Sequence, residues 1–398
     1  CKVTKNKEKK TMNYFVISLD VITLSILTLL LSVGLFQLFY WAFFMFRVRS
    51  HKKDADAKQD IQAMPVSIIV CARNESENLK HLIPHLINQT YEADIQVIIV
   101  DDASTDDTQM VLANMHSRYP SLYYTSIPTD SRYSHGKKLA LTVGIKAAKY
   151  EHMLFTDADC IPVSDKWVAT MMEGYNVGPK RQMVIGYGKY AKHPGLLNLF
   201  IRFETFFNAV QYFGYARAFR PFMGVGRNLS YTKSLYESSS KFRSNYKILS
   251  GDDDMFISEV ATRKNCVISF SEESQTLSEP KRTWYQWAVQ KSRHMTTASH
   301  YRFTIKLLLC SEIITRQLFL WGSLFVLLFF ESLQIRISVA VLIFLRWLLM
   351  HISLFIAASR MRESHLWLWT ILADIFMPWV QLCAWVFGFS TKSSNRWK

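Results

Sequence analysis

Between Tyr14 and Phe46 the chain is almost wholly apolar, with Asp20 its only acid. The best window, Val21–Phe46, exceeds the roughly 20 residues that cross a bilayer and is too long for a signal-peptide core. A transmembrane helix is therefore expected within residues 13–46. Arg47, Arg49, Lys52 and Lys53 follow at once and place the next segment on the cytoplasmic side. Three further apolar stretches, Ile313–Phe330, Ile337–Ala357 and Leu366–Phe389, predict about three spans in a membrane region over 301–390. Arg346 and Asp374 fall inside two of them. A charge at that depth has to snorkel, pair or face protein, and mutual or headgroup pairing is the reading preferred here to a transport role. Arg360 and Arg362 make Ser359–His365 cytoplasmic and Glu331–Arg336 external. The expectation is an integral protein of the cytoplasmic (inner) membrane with residues 47–310 in the cytosol. Residues 1–12 form a basic leader left out of the fold, with Met12 read as the natural start, and 391–398 form a polar tail.

The remaining composition narrows the partners. With 49% hydrophobic residues the chain is not disordered. Its six cysteines, at 1, 71, 160, 266, 310 and 383, have neither metal-ligand spacing nor a disulfide framework. The formal net charge of +15 suits nucleic acid, an anionic membrane surface or phosphate-bearing substrates. Nucleic acid is set aside, because the basic residues are scattered and concentrated near the membrane ends.

After a polar linker over 47–62, strands and helices alternate. Val66–Val70 and Ile95–Val100 read as buried strands, and Leu122–Ser126 and Met153–Thr156 as further strands. Leu79, Leu82, Ile83 and Leu86 give one helix its apolar face, with Asn74 and Glu77 as its capping box, and Lys138–Ala148 reads as another helix. Such alternation implies an α/β fold with a mostly parallel sheet, which binds ligands at the carboxyl ends of its strands.

The acidic residues fall at such ends. Asp101-Asp102 closes one strand and Asp157-Ala158-Asp159 another. Carboxylates one residue apart can both reach Mg²⁺ or Mn²⁺, which prefer oxygen ligands and bridge to diphosphate oxygens. Gly251-Asp252-Asp253-Asp254 is either an acidic helix start or a site in which one carboxylate is a general base. Gly224, Gly226 and Asn228 lie in a loop that lets a substrate approach the backbone, or in a plain turn. Gln290-Lys291-Ser292-Arg293-His294 lies on a helix, as a diphosphate-binding or a basic interfacial face.

Taken in order, VSIIVCARNE (66–75), VIIVDDASTD (97–106), GKKLALTVG (136–144), MLFTDAD (153–159), GVGRNLS (224–230), GDDDMFI (251–257) and QKSRH (290–294) resemble a membrane-bound family-two glycosyltransferase of the GT-A fold. That resemblance covers 63–300 and implies a cytosolic GT-A domain with interfacial helices. It implies that Arg73, Glu75, Asp101, Asp102, Lys137, Asp157, Gln290 and Arg293 bind a nucleotide sugar and that Asp157 and Asp159 hold the metal. It puts Gly224, Gly226 and Asn228 on the acceptor side and the base within Asp252–Asp254, with Asp253 preferred. Asp252 stands where the family has Glu, and His294 where it has Trp.

The implied function is inverting, metal-dependent transfer of a hexosyl or N-acetylhexosaminyl group from a nucleotide-diphosphate sugar to a lipid or lipid-linked acceptor. A processive polysaccharide synthase is the alternative, and an inactive nucleotide-sugar-binding scaffold the alternative of another class. The aromatic stretch Gly195–Phe219 is expected to lie in the headgroup region with Phe206 and Phe207 toward lipid, or else to be a core helix.

Overall fold

The computed structural model describes residues 2–49, 63–129, 136–242, 251–298, 300–363 and 365–390. The 50–62 part of the linker and the 391–398 tail lie outside them. In chain order the elements are α1 (Lys2–Phe43), β1 (Val66–Ala72), α2 (Ser76–Ile87), β2 (Ile95–Asp102), α3 (Thr108–Arg118), β3 (Leu122–Ile127), α4 (Lys137–Ala147), β4 (His152–Asp157), β5 (Cys160–Pro162), α5 (Trp167–Met172), β6 (Met183–Gly186), β7 (Gly188–Tyr190) and α6 (Leu196–Ala218). They continue with β8 (Leu229–Thr232), α7 (Lys233–Glu237), α8 (Asp254–Val260), β9 (Cys266–Ser269), β10 (Thr276–Ser278), α9 (Trp284–Ala298), α10 (Phe303–Phe329), α11 (Leu333–Arg360) and α12 (Thr370–Ser390). Four helical stretches, Val21–Val48, Phe303–Phe329, Leu333–Arg360 and Leu366–Ala384, are long and apolar enough to cross a membrane.

The chain divides into two compact units. The larger comprises 44–306 and 353–398 and has the GT-A fold. Its main sheet has the order β3-β2-β1-β4-β8-β6-β9. β1, β2, β3 and β4 are parallel, because a helix crosses over between each and the next, whereas β8 runs antiparallel to both β4 and β6. Every residue of β1 is buried, as a strand covered on both faces requires. Leu79, Leu82, Ile83 and Leu86 pack onto that sheet with Trp167 and Val168. A second sheet, β5-β10-β7, is built from strands of three residues each.

Two local expectations change. Asn74 does not cap α2: it sits at φ +56°, and its side-chain oxygen accepts from the Thr105 amide at 2.7 Å. Asp106, from the neighbouring loop, accepts the Ser76 amide instead at 3.3 Å. The stretch expected to lie in the headgroup region is α6, a core helix. Phe206 and Phe207 are buried by protein, with Phe203, Val210 and Phe213 beside them on a helix occluded on most of its circumference. Buried Glu204 on α6 receives the Lys291 ammonium at 2.6 Å, the Trp287 indole at 3.2 Å and the Gln381 amide at 3.0 Å. Glu363, which follows α11, pairs with Arg202 at 2.5 Å and accepts from Tyr187 at 3.2 Å.

The smaller unit comprises 1–43 and 307–352. Leu30, Val33, Phe319, Val326 and Val339 form its core. Gly34 permits close helix approach, since a Cβ there would lie 2.7 Å from Leu342. Arg346 is fully buried, faces protein and donates to Gln37 Oε1 at 3.1 Å. Gln37 in turn donates to the Thr315 hydroxyl at 2.9 Å.

Candidate active site

The strand order reverses between β1 and β4, and Cys71 at the end of β1 stands in register with Asp157 at the end of β4. An open pocket of about 330 Å³ lies there, lined by Cys71, Lys137, Thr156, Asp157, Gly226, Tyr231, Asp252 and Asp253 among others. Lys137 opens α4 and reaches back over the strand ends. Its Nζ lies 2.7 Å from Asp157 Oδ1 and 3.5 Å from Asp252 Oδ2. Burial disfavours the Lys137 charge, but Asp157, Asp252 and Asp253 outweigh it and hold the ammonium well above its ordinary range. Burial raises the Asp252 carboxyl against the pull of Lys137, and the Asp253 charge raises it further.

Asp253 is fixed by backbone. Its Oδ2 accepts the Gly226 amide at 2.6 Å and its Oδ1 the Asp254 amide at 2.8 Å. Gly226 makes room here, because a Cβ would lie 3.2 Å from both Asp253 Oδ2 and Lys137 Nζ and would push on them. Asp253 is also the N-cap of α8, so the run is an acidic helix start as well as a pocket wall. Asp254 turns inward and is buried. It accepts from the Tyr301 hydroxyl at 3.0 Å and from the Gly224 amide at 3.4 Å, with the Thr297 hydroxyl 3.4 Å away.

Arg73, Glu75 and Asp102 gather beyond the ends of β1 and β2. The Arg73 guanidinium lies 3.7 Å from Asp102, and burial raises the Glu75 carboxyl while Asn78 opposes the shift. Asp101 instead accepts from the Ser104 amide at 3.1 Å and the Gln109 side chain at 3.0 Å, so it shapes the loop.

Donor atoms of Asp157, Asp159 and Cys160 lie within 4.8 Å of one another. Asp159 is exposed and Asp157 half-buried. The Cys160 thiol is buried beside the Ser278 hydroxyl at 2.8 Å, and burial pushes it well above its ordinary range. A hard cation is thus suited by the two carboxylates and not by the thiol.

Not every expected residue reaches the pocket. Asn228, expected on the acceptor side, is fully buried. Its amide donates to the Tyr187 and Ser274 carbonyls at 2.9 and 2.7 Å and accepts from the Trp167 indole at 3.1 Å, so it staples the sheet. Gly224 is likewise a packing residue, since a Cβ would lie 2.6 Å from Ile257. Gln290 donates to the Tyr190 hydroxyl at 3.4 Å, and Arg293 is half-buried on α9 outside the pocket lining.

Arg227 and Tyr190 escaped sequence reasoning. The Arg227 guanidinium stacks 4.3 Å from the Tyr190 ring centroid and donates to the Gly188 carbonyl at 2.7 Å. Its own carbonyl accepts from Thr156 and Thr276 at 3.0 and 3.1 Å, tying this loop to the residue before Asp157. No spacing rule marks such a residue. Glu204 did leave a signal, as a lone acid inside the apolar run 196–213.

Residues 67–232 match Glycosyl transferase family 2. Over 163 residues the chain is 25% identical to a poly-beta-1,6-N-acetyl-D-glucosamine synthase of Staphylococcus epidermidis, covering 39% of this chain and 38% of that protein. It is 26% identical to the synthase of the same name from Staphylococcus aureus, with the same shares covered. The match thus spans well under half the length of these curated relatives. Among solved structures, a mannosyltransferase from Pyrobaculum calidifontis in complex with GDP-Man and Mn²⁺ superposes over 85% of this chain and 99% of its own, with a TM-score of 0.50 at 17% identity.

Proposed function

We propose that this chain, which carries a glycosyl transferase family 2 domain, moves a sugar from a nucleotide-diphosphate sugar to a lipid or lipid-linked acceptor with inversion. The observation that carries this reading is the convergence of Lys137, Asp157, Asp252 and Asp253 in one pocket at the point where the strand order reverses, the place where open α/β sheets bind ligands. Asp253 is the general base. Two backbone amides hold its carboxylate in place at the pocket wall. It takes the proton of an acceptor hydroxyl while that oxygen attacks the anomeric carbon and the bond to the nucleoside diphosphate breaks. One displacement inverts the configuration.

Arg73, Glu75 and Asp102 face the nucleotide, with Asp101 holding their loop. Lys137 lies against the sugar diphosphate, while Gln290 and Arg293 stand on α9 outside the pocket lining. Asp157 and Asp159 are the residues that would hold Mg²⁺ or Mn²⁺, which supplies positive charge to a departing diphosphate. The domain faces the cytosol, given the basic residues at 47–53 and 360–362.

The names of the staphylococcal relatives favour a second reading, in which the donor carries N-acetylglucosamine and the product is a polymer. One assay separates the readings. The purified chain in detergent is given UDP-glucose, UDP-N-acetylglucosamine and GDP-mannose with a lipid extract, with and without chelator. The expected result is chelator-sensitive nucleoside diphosphate release from one donor and a lipid carrying one or a few sugars. A long polymer supports the second reading. Absence of release from all three leaves a binding scaffold and rejects transfer from these donors.

A further inference from the structure

The third acid of the run has a different task from its neighbours. Asp254 sits one residue beyond the proposed base, yet its carboxylate points away from the pocket. It accepts from Gly224 in the loop that contacts Asp253 and from Tyr301 just after α9, and it lies 3.4 Å from the hydroxyl of Thr297 in the last turn of α9, whose own proton goes to the His294 carbonyl at 2.7 Å. The seam continues on both sides. Gly251, at φ +79°, packs so closely on Thr297 that a Cβ would come within 2.6 Å of its methyl group. Arg302 donates to the Ser258 carbonyl of α8 at 3.1 Å, and the Tyr301 ring packs on Phe222 with centroids 5.4 Å apart.

We infer that Asp254 is a positioning residue, a latch that locks the base loop to the carboxyl end of α9, the helix that carries Gln290 and Arg293. The inference rests on the reading of Asp253 as the base. Asp253 depends on Gly226, two residues from the Gly224 amide that Asp254 holds, so a loosened latch lets the base drift while the pocket keeps its charges. The latch needs an acceptor toward Gly224, whose amide can only donate. Toward Tyr301 and Thr297 it needs only a polar partner, since hydroxyls can reverse their roles. Asparagine meets both needs, whereas alanine meets neither.

The test compares Asp254→Ala, Asp254→Asn and Tyr301→Phe in two ways. Transfer is measured with whichever of the three donors above the wild type uses. Asp254→Ala is expected to lower kcat by about tenfold or more at little changed donor KM, as a displaced reacting group does. Asp254→Asn is expected to stay within about threefold of wild type, and Tyr301→Phe to fall between them. Independently of turnover, hydrogen exchange should quicken together in the peptides holding Gly224–Gly226 and Thr297–Tyr301 in Asp254→Ala, and not in Asp254→Asn. If Asp254→Asn is as inactive as Asp254→Ala with exchange unchanged, the carboxylate itself does the chemistry and the latch is wrong. Unaltered exchange in Asp254→Ala also overturns it, even if the wild type transfers from none of the donors.

Discussion

In the Gly251–Asp254 run the carboxylate of Asp252 meets Lys137, that of Asp253 closes on the Gly226 amide, and that of Asp254 turns inward to Tyr301. Asp254 thus leaves the space that Asp252 and Asp253 share. The arrangement has a pH consequence. Burial, with the Asp253 charge second, raises the Asp254 carboxyl well above its ordinary range. In the folded state it therefore binds its proton more tightly than in the unfolded state, so its contribution to stability is fully present below the ordinary carboxylate range and is lost as pH rises through the raised value. Asp254→Asn cannot titrate. Its melting temperature relative to wild type is expected to climb between pH 4 and pH 8, and a constant difference across that range would refute the assignment. The acidic pairs were legible in the sequence because each follows a buried apolar run, which puts it at a strand end. Their division of labour was not. The chain turns at Gly251 with φ +79°, and no periodicity says where the next three side chains point. Asn228 misled for the opposite reason: a polar residue after two glycines reads as a substrate loop, while its partners are carbonyls far along the chain.

Among the elements, β1, β2, β3, β4, α2 and α4 were visible because their burial follows local pattern. The three-residue strands β5, β7 and β10 were not, since a pairing that short leaves no pattern to read. α6 was ambiguous, because an aromatic helix with a few charges suits both a bilayer surface and a protein core. Its tertiary partners decide the matter, above all Glu204 with Lys291, Trp287 and Gln381. Replacing one member of a buried ion pair strands the other without compensation. Glu204→Leu is therefore expected to destabilise the protein by about 3 kcal/mol or more. Adding Lys291→Met should recover much of the loss. Denaturant midpoints of the two variants check this, and equal losses in both would show that the pair contributes packing alone.

For the whole molecule, the four helices long and apolar enough to cross a membrane were legible in the sequence, because that property depends on composition over long windows. A cysteine placed between Glu331 and Arg336 is expected to react with an impermeant reagent added to intact cells. One placed at Ser50 should react only after lysis, and the reverse labelling would invert the arrangement.

The larger unit is not one continuous stretch, because residues 353–398 belong to it as much as 44–306. The ribosome emits a chain from its amino end at about 5–20 residues per second. For several seconds after residue 306 emerges, Arg202, Tyr187 and Glu204 therefore wait for Glu363 and Gln381, which are still unmade. The larger unit consequently completes its packing only once residues 353–398 have been made, and a messenger cut short before residue 363 yields a nascent chain in which Arg202, Tyr187 and Glu204 lack these partners.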